Sequence, residues 1–377
     1  MTKKSKQLVL LGKSVSPETT AFFSEANGFL PIPASIGEFP SGEPFVELFY
    51  KQEDKFAGNM SMLKGQHVIV VQSGGIPYAN NILCLLMMVD TLKSYGVASV
   101  TAYVPMLPLA RQDRKFEGRF VSEGARFMAK MLDTADGDRI VTVTPHSQAC
   151  IQTFKSFFQE NFIALDTAKL FAADIKEKFN GAANVVIGAP DGADKPEDEG
   201  QRRAMELIHA LYGQAKDMDH KRIKIAKEHI PGTISETRIV GCDDDLQEKV
   251  NGKDCILIDD MIDGGGTMVN VAALLKKNGA RSVTCYATHG ILSGNALEKM
   301  LASPTTAAAP IDKLVITDTL PDVGPKVASF IKKYPALEGH IDVLCTAPLL
   351  MEALVSKKKT TPSSGAAQAR RSHRKPR

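Results

Sequence analysis

Two segments of this chain repeat one another, and this repeat constrains the fold more than any other sequence feature. Residues 92–103 match residues 275–286 at seven of twelve positions. Each segment follows a short apolar run, a glycine-containing turn and a stretch that predicts a helix, which is the order of a βαβ unit. Chance convergence of two such units is the alternative. We favour an α/β fold of two similar doubly wound domains with parallel sheets, related by duplication.

The composition is that of an ordinary globular protein. Of the 377 residues, 44% are hydrophobic and 24% are charged, and this length is sufficient for two domain cores. The six cysteines are widely spaced without a Cys-x-x-Cys pair, which argues against a zinc site or a disulfide framework and fits a reducing cytoplasm. The apolar stretches are too short for a signal peptide or a membrane span. The sequence therefore predicts a cytoplasmic protein without membrane contact.

The charge is unevenly distributed along the chain. The net charge is +3, but residues 356–377 contain eight Lys or Arg and no acid. This segment has no apolar periodicity, so it is predicted to be a disordered basic tail. It could attract nucleic acid or an acidic partner, but a dispensable solubilising extension is the favoured interpretation. We therefore do not expect nucleic-acid binding.

The most function-bearing stretch is residues 255–267, Cys-Ile-Leu-Ile-Asp-Asp-Met-Ile-Asp-Gly-Gly-Gly-Thr. It leads from an apolar strand into a predicted helix at 268–278, so the backbone N–H groups of its turn can bind an anion. The spacing is neither that of a Walker loop nor that of a dinucleotide fingerprint. Carboxylates can accept hydrogen bonds from vicinal sugar hydroxyls or hold a bridging Mg²⁺, and Thr267 can cap the helix and donate its hydroxyl. The stretch predicts a sugar-phosphate site.

This motif resembles the phosphoribosyl pyrophosphate (PRPP) motif of type I phosphoribosyltransferases and PRPP synthetases, with Gly264 where most members carry Thr. Residues 105–115 resemble the Tyr-Ala-Arg-Gln-Asp segment of PRPP synthetases. The similarity covers residues from about 8 to 355, so the chain resembles the ribose-phosphate pyrophosphokinase family. The resemblance implies two phosphoribosyltransferase-type domains: 1–158, which takes ATP, and 159–355, which takes ribose 5-phosphate. The tail begins at 356.

The resemblance also implies roles for individual residues. The second cation of the transfer step has two candidates. Cations on a mobile loop would stabilise the transferring group, and Arg222 or Lys224 could stand beside Lys221 there. His289 is interpreted as structural. The implied sets are: catalytic, Lys221 and Arg222; ATP-binding, Phe39, Glu43, Arg111, Gln112 and His146; ribose 5-phosphate-binding, Asp259, Asp260, Asp263, Gly264, Gly265, Gly266 and Thr267; metal-binding, His146 and Asp191.

The activity implied by the resemblance is transfer of the β,γ-diphosphoryl group of Mg²⁺-ATP to the C1 hydroxyl of ribose 5-phosphate. The family also implies a homo-oligomer, from dimer to hexamer, with adenine sites shared between subunits. Two alternatives remain open. One is a catalytically silent regulatory subunit of an active synthetase, and the other is a phosphoribosyltransferase, against which the Arg-Gln-Asp segment argues.

Overall fold

The fold was described from a computed structural model, which defines residues 6–48, 62–113, 115, 120–190, 198–213, 218–229, 237–302 and 309–356. Two six-stranded parallel sheets form its frame. The strands of the first sheet are β1 (Gln7–Leu11), β2 (Phe29–Pro31), β5 (His67–Val71), β6 (Ser99–Val104), β7 (Arg139–Val143) and β8 (Phe162–Leu165). Those of the second are β9 (Val185–Gly188), β10 (Arg222–Ile223), β13 (Asp254–Ile262), β14 (Ser282–Gly290), β15 (Lys313–Thr317) and β16 (Ile341–Leu344).

The two sheets have the same strand order. The first runs β2-β1-β5-β6-β7-β8 and the second runs β10-β9-β13-β14-β15-β16, so each strand has a counterpart in chain order. An antiparallel hairpin follows the second strand of each half: β3 (Ala34–Glu38) with β4 (Pro44–Leu48), and β11 (Ile225–His229) with β12 (Thr237–Cys242). This correspondence confirms the predicted fold class and favours duplication over chance convergence.

Helices cover the sheets and complete the cores. They are α1 (Pro17–Phe22), α2 (Tyr78–Ser94), α3 (Gly124–Thr134), α4 (Gln148–Phe158), α5 (Ala168–Lys178), α6 (Glu199–Tyr212), α7 (Leu246–Val250), α8 (Gly266–Lys277), α9 (Ala296–Leu301), α10 (Val323–Lys333) and α11 (Ala347–Ser356). Strand residues such as Val70 and Leu257 are fully buried, as expected for parallel sheets covered on both faces. Among these helices, none is long and apolar enough to cross a membrane.

The division between the halves differs from the predicted boundary at 158/159. Strand β8 follows that position but pairs with β7 in the first sheet. Helix α11, at the end of the described chain, also returns to the first half, where Leu350 packs with Val9 and Tyr103. By sheet membership the boundary therefore falls after Leu165. The last helix belongs to the second half in sequence but packs against the first.

A buried polar layer joins the two halves. The carboxylate of Asp318, which follows β15, accepts hydrogen bonds from the hydroxyls of Ser16 and Thr19 at 2.9 Å and from Thr346 at 2.8 Å. His289 at the end of β14 bonds Thr319 through Nδ1 at 2.9 Å and lies 3.2 Å from the Thr144 carbonyl through Nε2. Since buried polar groups need such partners, this layer fixes how the halves meet.

Candidate functional site

The site forms at the carboxyl end of β13, where polar side chains replace the apolar ones of the strand. Asp259 and Asp260 lie within β13 rather than in the following turn, because the strand continues to Ile262. Asp263 comes immediately after it. Ligands of doubly wound sheets bind at this edge, outside the carboxyl ends of the strands. The three predicted carboxylates therefore lie at one place, but only Asp263 belongs to the turn.

Asp260 is held by cations from both halves of the chain. Its Oδ2 lies 2.8 Å from Nδ1 of His146, which follows β7 in the first half, and its Oδ1 lies 3.3 Å from Nη2 of Arg203 on α6. The side chain is only 4% exposed. Burial alone would raise the pKa of Asp260, but the charge of Arg203 and the hydrogen bond from His146 hold this pKa well below its usual range. Asp260 is therefore an ionised anchor between the halves.

His146 responds to the same contact. Burial by itself would lower its pKa, but the hydrogen bond and charge of Asp260 outweigh burial, so the pKa of His146 is raised from its ordinary value. With Nδ1 on Asp260, Nε2 is the ring nitrogen left to face a ligand. A carboxylate that fixes one imidazole nitrogen while the other binds is the usual arrangement of a ligand histidine.

A second ion pair joins the halves nearer the solvent. Nη1 of Arg111 lies 2.9 Å from Oδ2 of Asp263, with the two side chains 56% and 38% exposed. Burial would raise the pKa of Asp263, but hydrogen bonds from Ser293 and Arg111 lower it. Exposed pairs contribute at most about 1 kcal/mol, so a charged substrate can replace either partner at small cost.

A cavity of about 460 Å³ lies between these two ion pairs. Arg111, Gln112 and His146 line it from the first half, and Asp263 and His289 line it from the second. Its size is within the range of small-molecule sites. Three predicted ATP-binding residues and one predicted ribose 5-phosphate-binding residue therefore share one cavity.

The glycine turn has the geometry of an anion-binding loop. Gly265 adopts a left-handed backbone at φ +74° and is the N-cap of α8, so Thr267 lies in the first turn and is not the predicted cap. A Cβ placed on Gly264 or Gly266 would meet no atom within 4 Å, which leaves open space beside the backbone. The N–H groups in the first turn of a helix attract anions, so this start of α8 suits a phosphate in the open space.

The equivalent turn of the first half is filled by its own side chains. Gln72, at the counterpart of Asp259, is buried; its Oε1 accepts the Ser14 backbone N–H at 3.0 Å and its Nε2 donates to Asn81 at 3.1 Å. A Cβ on Gly74 would come within 2.6 Å of Pro108. The first copy therefore has no room for a sugar phosphate.

Phe39 and Glu43 lie away from this cavity, at the turn of the β3–β4 hairpin. The Phe39 backbone N–H donates to the Glu43 carbonyl at 2.8 Å, and both side chains are exposed. Phe39 is 53% exposed, and its ring lies tilted against that of Phe45, with ring centroids 5.0 Å apart. Neither residue belongs to the cavity of its own chain.

The predicted catalytic cations are not brought to the site. Lys221 precedes β10, and its Nζ donates to the Ala183 carbonyl at 2.8 Å, ahead of β9. This is the amino edge of the sheet, about five residues or roughly 16 Å along a strand from the carboxylates. Arg222 is occupied by the Gln201 amide oxygen at 2.6 Å. The placement does not support the predicted roles of Lys221 and Arg222, and Asp191 lies outside the described residues.

Two cationic residues that the sequence did not single out lie on elements that adjoin the site. Arg203 contacts Asp260 and donates from Nη2 to the His146 carbonyl at 2.6 Å. Lys227 lies on β11, and Ile223, four residues earlier, pairs with Gly188 at the level of Leu257. The backbone of Lys227 therefore follows the last residue pair of β9 and β10 by four residues, towards the carboxyl end of the sheet. In the sequence, the alternating Ile223 and Ile225 indicate a strand that begins after Lys221. This signal could have directed the catalytic assignment to a lysine later in the strand.

The described residues contain no group of three or more His, Cys, Asp or Glu side chains arranged to hold a metal ion. The carboxylates nearest the cavity are each paired with a cation or a hydrogen-bond donor. A metal bound here would therefore depend on oxygen ligands from a substrate as well as from the protein.

Comparison with known families agrees with the two-half architecture. Residues 11–136 match the model of the N-terminal domain of ribose phosphate pyrophosphokinase. Residues 213–334 match that of the phosphoribosyl synthetase-associated domain. A parallel-sheet domain pair with one glycine-rich acidic turn is thus the class to which fold, site and family models all point.

Curated relatives and a solved structure extend this match over most of the chain. The ribose-phosphate pyrophosphokinase of Rhizobium meliloti is 32% identical over 84% of this chain and 88% of its own. That of Hyphomonas neptunium is 34% identical over 78% and 81%. The crystal structure of phosphoribosylpyrophosphate synthetase from Mycobacterium smegmatis superposes with a TM-score of 0.70 at 28% identity, covering 94% of this chain and 99% of that one. The chain belongs to the ribose-phosphate pyrophosphokinase family.

Proposed function

We propose that this protein is an active ribose-phosphate pyrophosphokinase. The C1 hydroxyl of ribose 5-phosphate attacks the β-phosphorus of ATP, the bond from that phosphorus to the α-phosphate oxygen breaks, and AMP leaves as PRPP forms. The observation that carries the proposal is the pairing of His146 with Asp260 and of Arg111 with Asp263 across one cavity. These contacts bring the ATP-side and ribose-side residues of the two halves together, and family membership supports the same reaction.

The ribose side of the proposal uses the second half. The turn Gly264–Thr267 holds the 5-phosphate through backbone N–H groups at the start of α8. Asp259 and Asp263 accept the ribose hydroxyls, while Asp260 keeps the position of the strand end because both of its oxygens are engaged. The carboxylate set thus has two roles: two acids orient the sugar and one anchors the site.

The ATP side uses Arg111, Gln112 and the Nε2 atom of His146. A guanidinium pairs well with phosphate oxygens, and an amide can address the adenosine. Arg111 then exchanges Asp263 for the nucleotide phosphates, which frees Asp263 for the ribose. Breaking the Arg111–Asp263 pair costs little free energy because both side chains are exposed.

Magnesium fits this donor set when it arrives with the nucleotide. Mg²⁺ commonly takes one or two protein carboxylates together with substrate phosphates. Asp259 and Asp263 have that chemistry, with His146 beside them, and Asp191 remains the second predicted ligand. The bound ion supplies neutralisation of negative charge on the phosphate oxygens.

We assign the cation of the transferring group to Lys227 rather than Lys221. The attack spreads charge onto oxygens of the β-phosphate, and a nearby cation stabilises that charge without covalent participation. Lys227 is on the hairpin that leaves the carboxyl end of the sheet, whereas Lys221 is at the opposite edge. Lys224 stands between these positions, and its backbone N–H donates to Asp243.

Two further parts of the proposal concern the assembly. The exposed Phe39 and Glu43 at the tip of the β3–β4 hairpin suit a contact with the adenine of a neighbouring subunit in a homo-oligomer, since they do not reach the cavity of their own chain. We also infer a cytoplasmic location, as expected for free cysteines in a reducing compartment.

The proposal is tested by quantifying AMP and PRPP in mixtures of the protein, Mg²⁺, ATP and ribose 5-phosphate, with and without inorganic phosphate. We expect both products in equal amounts, and neither when ribose 5-phosphate is omitted. A silent regulatory subunit would give neither product while raising the turnover of an added active synthetase. A phosphoribosyltransferase would consume added PRPP in the presence of a base.

A further inference from the structure

The feature that the proposed reaction does not use is the guanidinium of Arg203. Arg203 is 5% exposed on α6 of the second half. Its Nη2 donates to the His146 carbonyl at 2.6 Å and lies 3.3 Å from Oδ1 of Asp260, and its Nη1 lies 3.5 Å from Oδ1 of Asp259. One side chain thus contacts the two adjacent acids near the carboxyl end of β13 and the main chain of the histidine segment from the other half.

These contacts leave the third nitrogen of the guanidinium, Nε, buried and without a hydrogen bond among the described residues. A buried donor without a partner lowers the free energy of unfolding, so hydrogen bonding of Nε does not explain where this side chain lies. Contacts with Asp259, Asp260 and His146 hold it there. Arginine offers several donors in a rigid fork, which is the property needed to hold three groups in fixed relation.

We propose that Arg203 is a positioning residue that keeps the ATP half-site and the ribose half-site in register. It acts through others: the His146 segment presents the nucleotide, β13 presents the sugar, and Arg203 sets the distance between them. The inference rests on the proposed function. It adds that alignment of the two substrates depends on one buried arginine that touches neither of them.

A matched control stands beside it in the sequence. Arg202 is on the same helix, but its ion pairs are with Glu199 at 2.9 Å and Glu206 at 2.5 Å, both on that helix. A lysine at either position keeps the positive charge but lacks the forked donors of the guanidinium. Arg203→Lys and Arg202→Lys therefore separate site registration from general effects on α6.

The first readout is steady-state kinetics. Arg203→Lys should lower kcat about 10- to 100-fold while the KM values for ATP and ribose 5-phosphate change less than about threefold, because each half-site still binds but the reacting atoms are misaligned. Arg202→Lys should keep kcat within about twofold. An unchanged kcat in Arg203→Lys, or a rise in both KM values at constant kcat, would overturn the inference.

The second readout does not depend on turnover and so separates this inference from the proposed function. Amide hydrogen exchange at Cys150, whose N–H donates to the Ser147 hydroxyl in the first turn of α4, should be at least about tenfold faster in Arg203→Lys than in wild type or Arg202→Lys. Equal exchange in all three proteins would contradict the inference even if the enzyme is active. If Arg203→Lys does not fold, Arg203→Gln is measured in the same way, and loss of folding in both variants would assign Arg203 to stability instead.

Discussion

At the scale of single residues, neighbouring acids in one motif have unlike roles. Asp260 is buried against Arg203 and His146, whereas Asp263 is 38% exposed and pairs with Arg111 near the solvent. The sequence predicts that carboxylates cluster here, but burial and partners come from other parts of the chain. That is why the anchoring role of Asp260 could not be predicted from the motif alone.

The first prediction at this scale concerns Gly264, where most family members carry Thr. A side chain fits there, since a Cβ meets no atom within 4 Å and the backbone is not left-handed. Gly264→Thr should lower the KM for ribose 5-phosphate about three- to tenfold, because a hydroxyl adds one hydrogen bond to a charged phosphate. Initial velocities across a ribose 5-phosphate series measure this effect.

The control for Gly264 is its neighbour. Gly265 has φ +74°, and a Cβ there would lie 3.0 Å from the Met300 side chain, so Gly265→Thr should be destabilising by about 1–3 kcal/mol. An unchanged or higher KM in a folded Gly264→Thr protein would show that position 264 does not face the phosphate.

A second prediction concerns His289, whose burial lowers its pKa to about 4. The unfolded chain, with a histidine pKa of about 6.5, binds more protons than the folded chain between these values. Stability from neutral His289 is therefore complete above pH 6.5 and is lost as the pH falls towards 4, by about 3 kcal/mol. Denaturant unfolding of wild type and His289→Gln at pH 7 and pH 4.5 measures this loss. The two proteins should differ less at the lower pH, and a constant difference would contradict a neutral buried His289.

At the scale of elements, the apolar runs predict most strands because burial in a parallel sheet demands them. Strand β13, for example, begins at Asp254, one residue before the apolar run that opens the motif of residues 255–267. The β10–β11 region is harder, because basic residues alternate with isoleucine and several cations are candidates. Only the pairing of β10 with β9 shows which of them precede the strand and which follow it.

The prediction at this scale compares two lysines on either side of β10. Lys227→Ala should lower kcat about 100- to 1,000-fold, since it removes a cation from the transferring group. Lys221→Ala should leave kcat within about twofold, because its Nζ donates to the Ala183 carbonyl and lies 5.2 Å from the Tyr212 ring centroid, at the amino edge of the sheet. Rates of AMP formation by the two purified variants decide between them. A large loss in Lys221→Ala with a wild-type rate in Lys227→Ala would restore the original assignment.

At the scale of the whole molecule, duplication supplies two similar halves and divergence gives them different tasks. The first half has filled its own turn with Gln72, and the second keeps the acidic turn open. The repeat of residues 92–103 at residues 275–286 predicts the two similar halves. It does not predict the contacts between the halves, such as His146 with Asp260 or α11 on the first sheet, because those depend on how the two halves pack together.

The central claim is that the two halves together transfer a diphosphoryl group from ATP to ribose 5-phosphate. The most direct measurement follows ATP labelled at its β-phosphorus through a reaction with the protein, Mg²⁺ and ribose 5-phosphate. We predict that the label leaves entirely in PRPP and that the AMP formed is unlabelled. Label recovered in ADP or free phosphate, or no ribose-dependent AMP at all, would contradict the account.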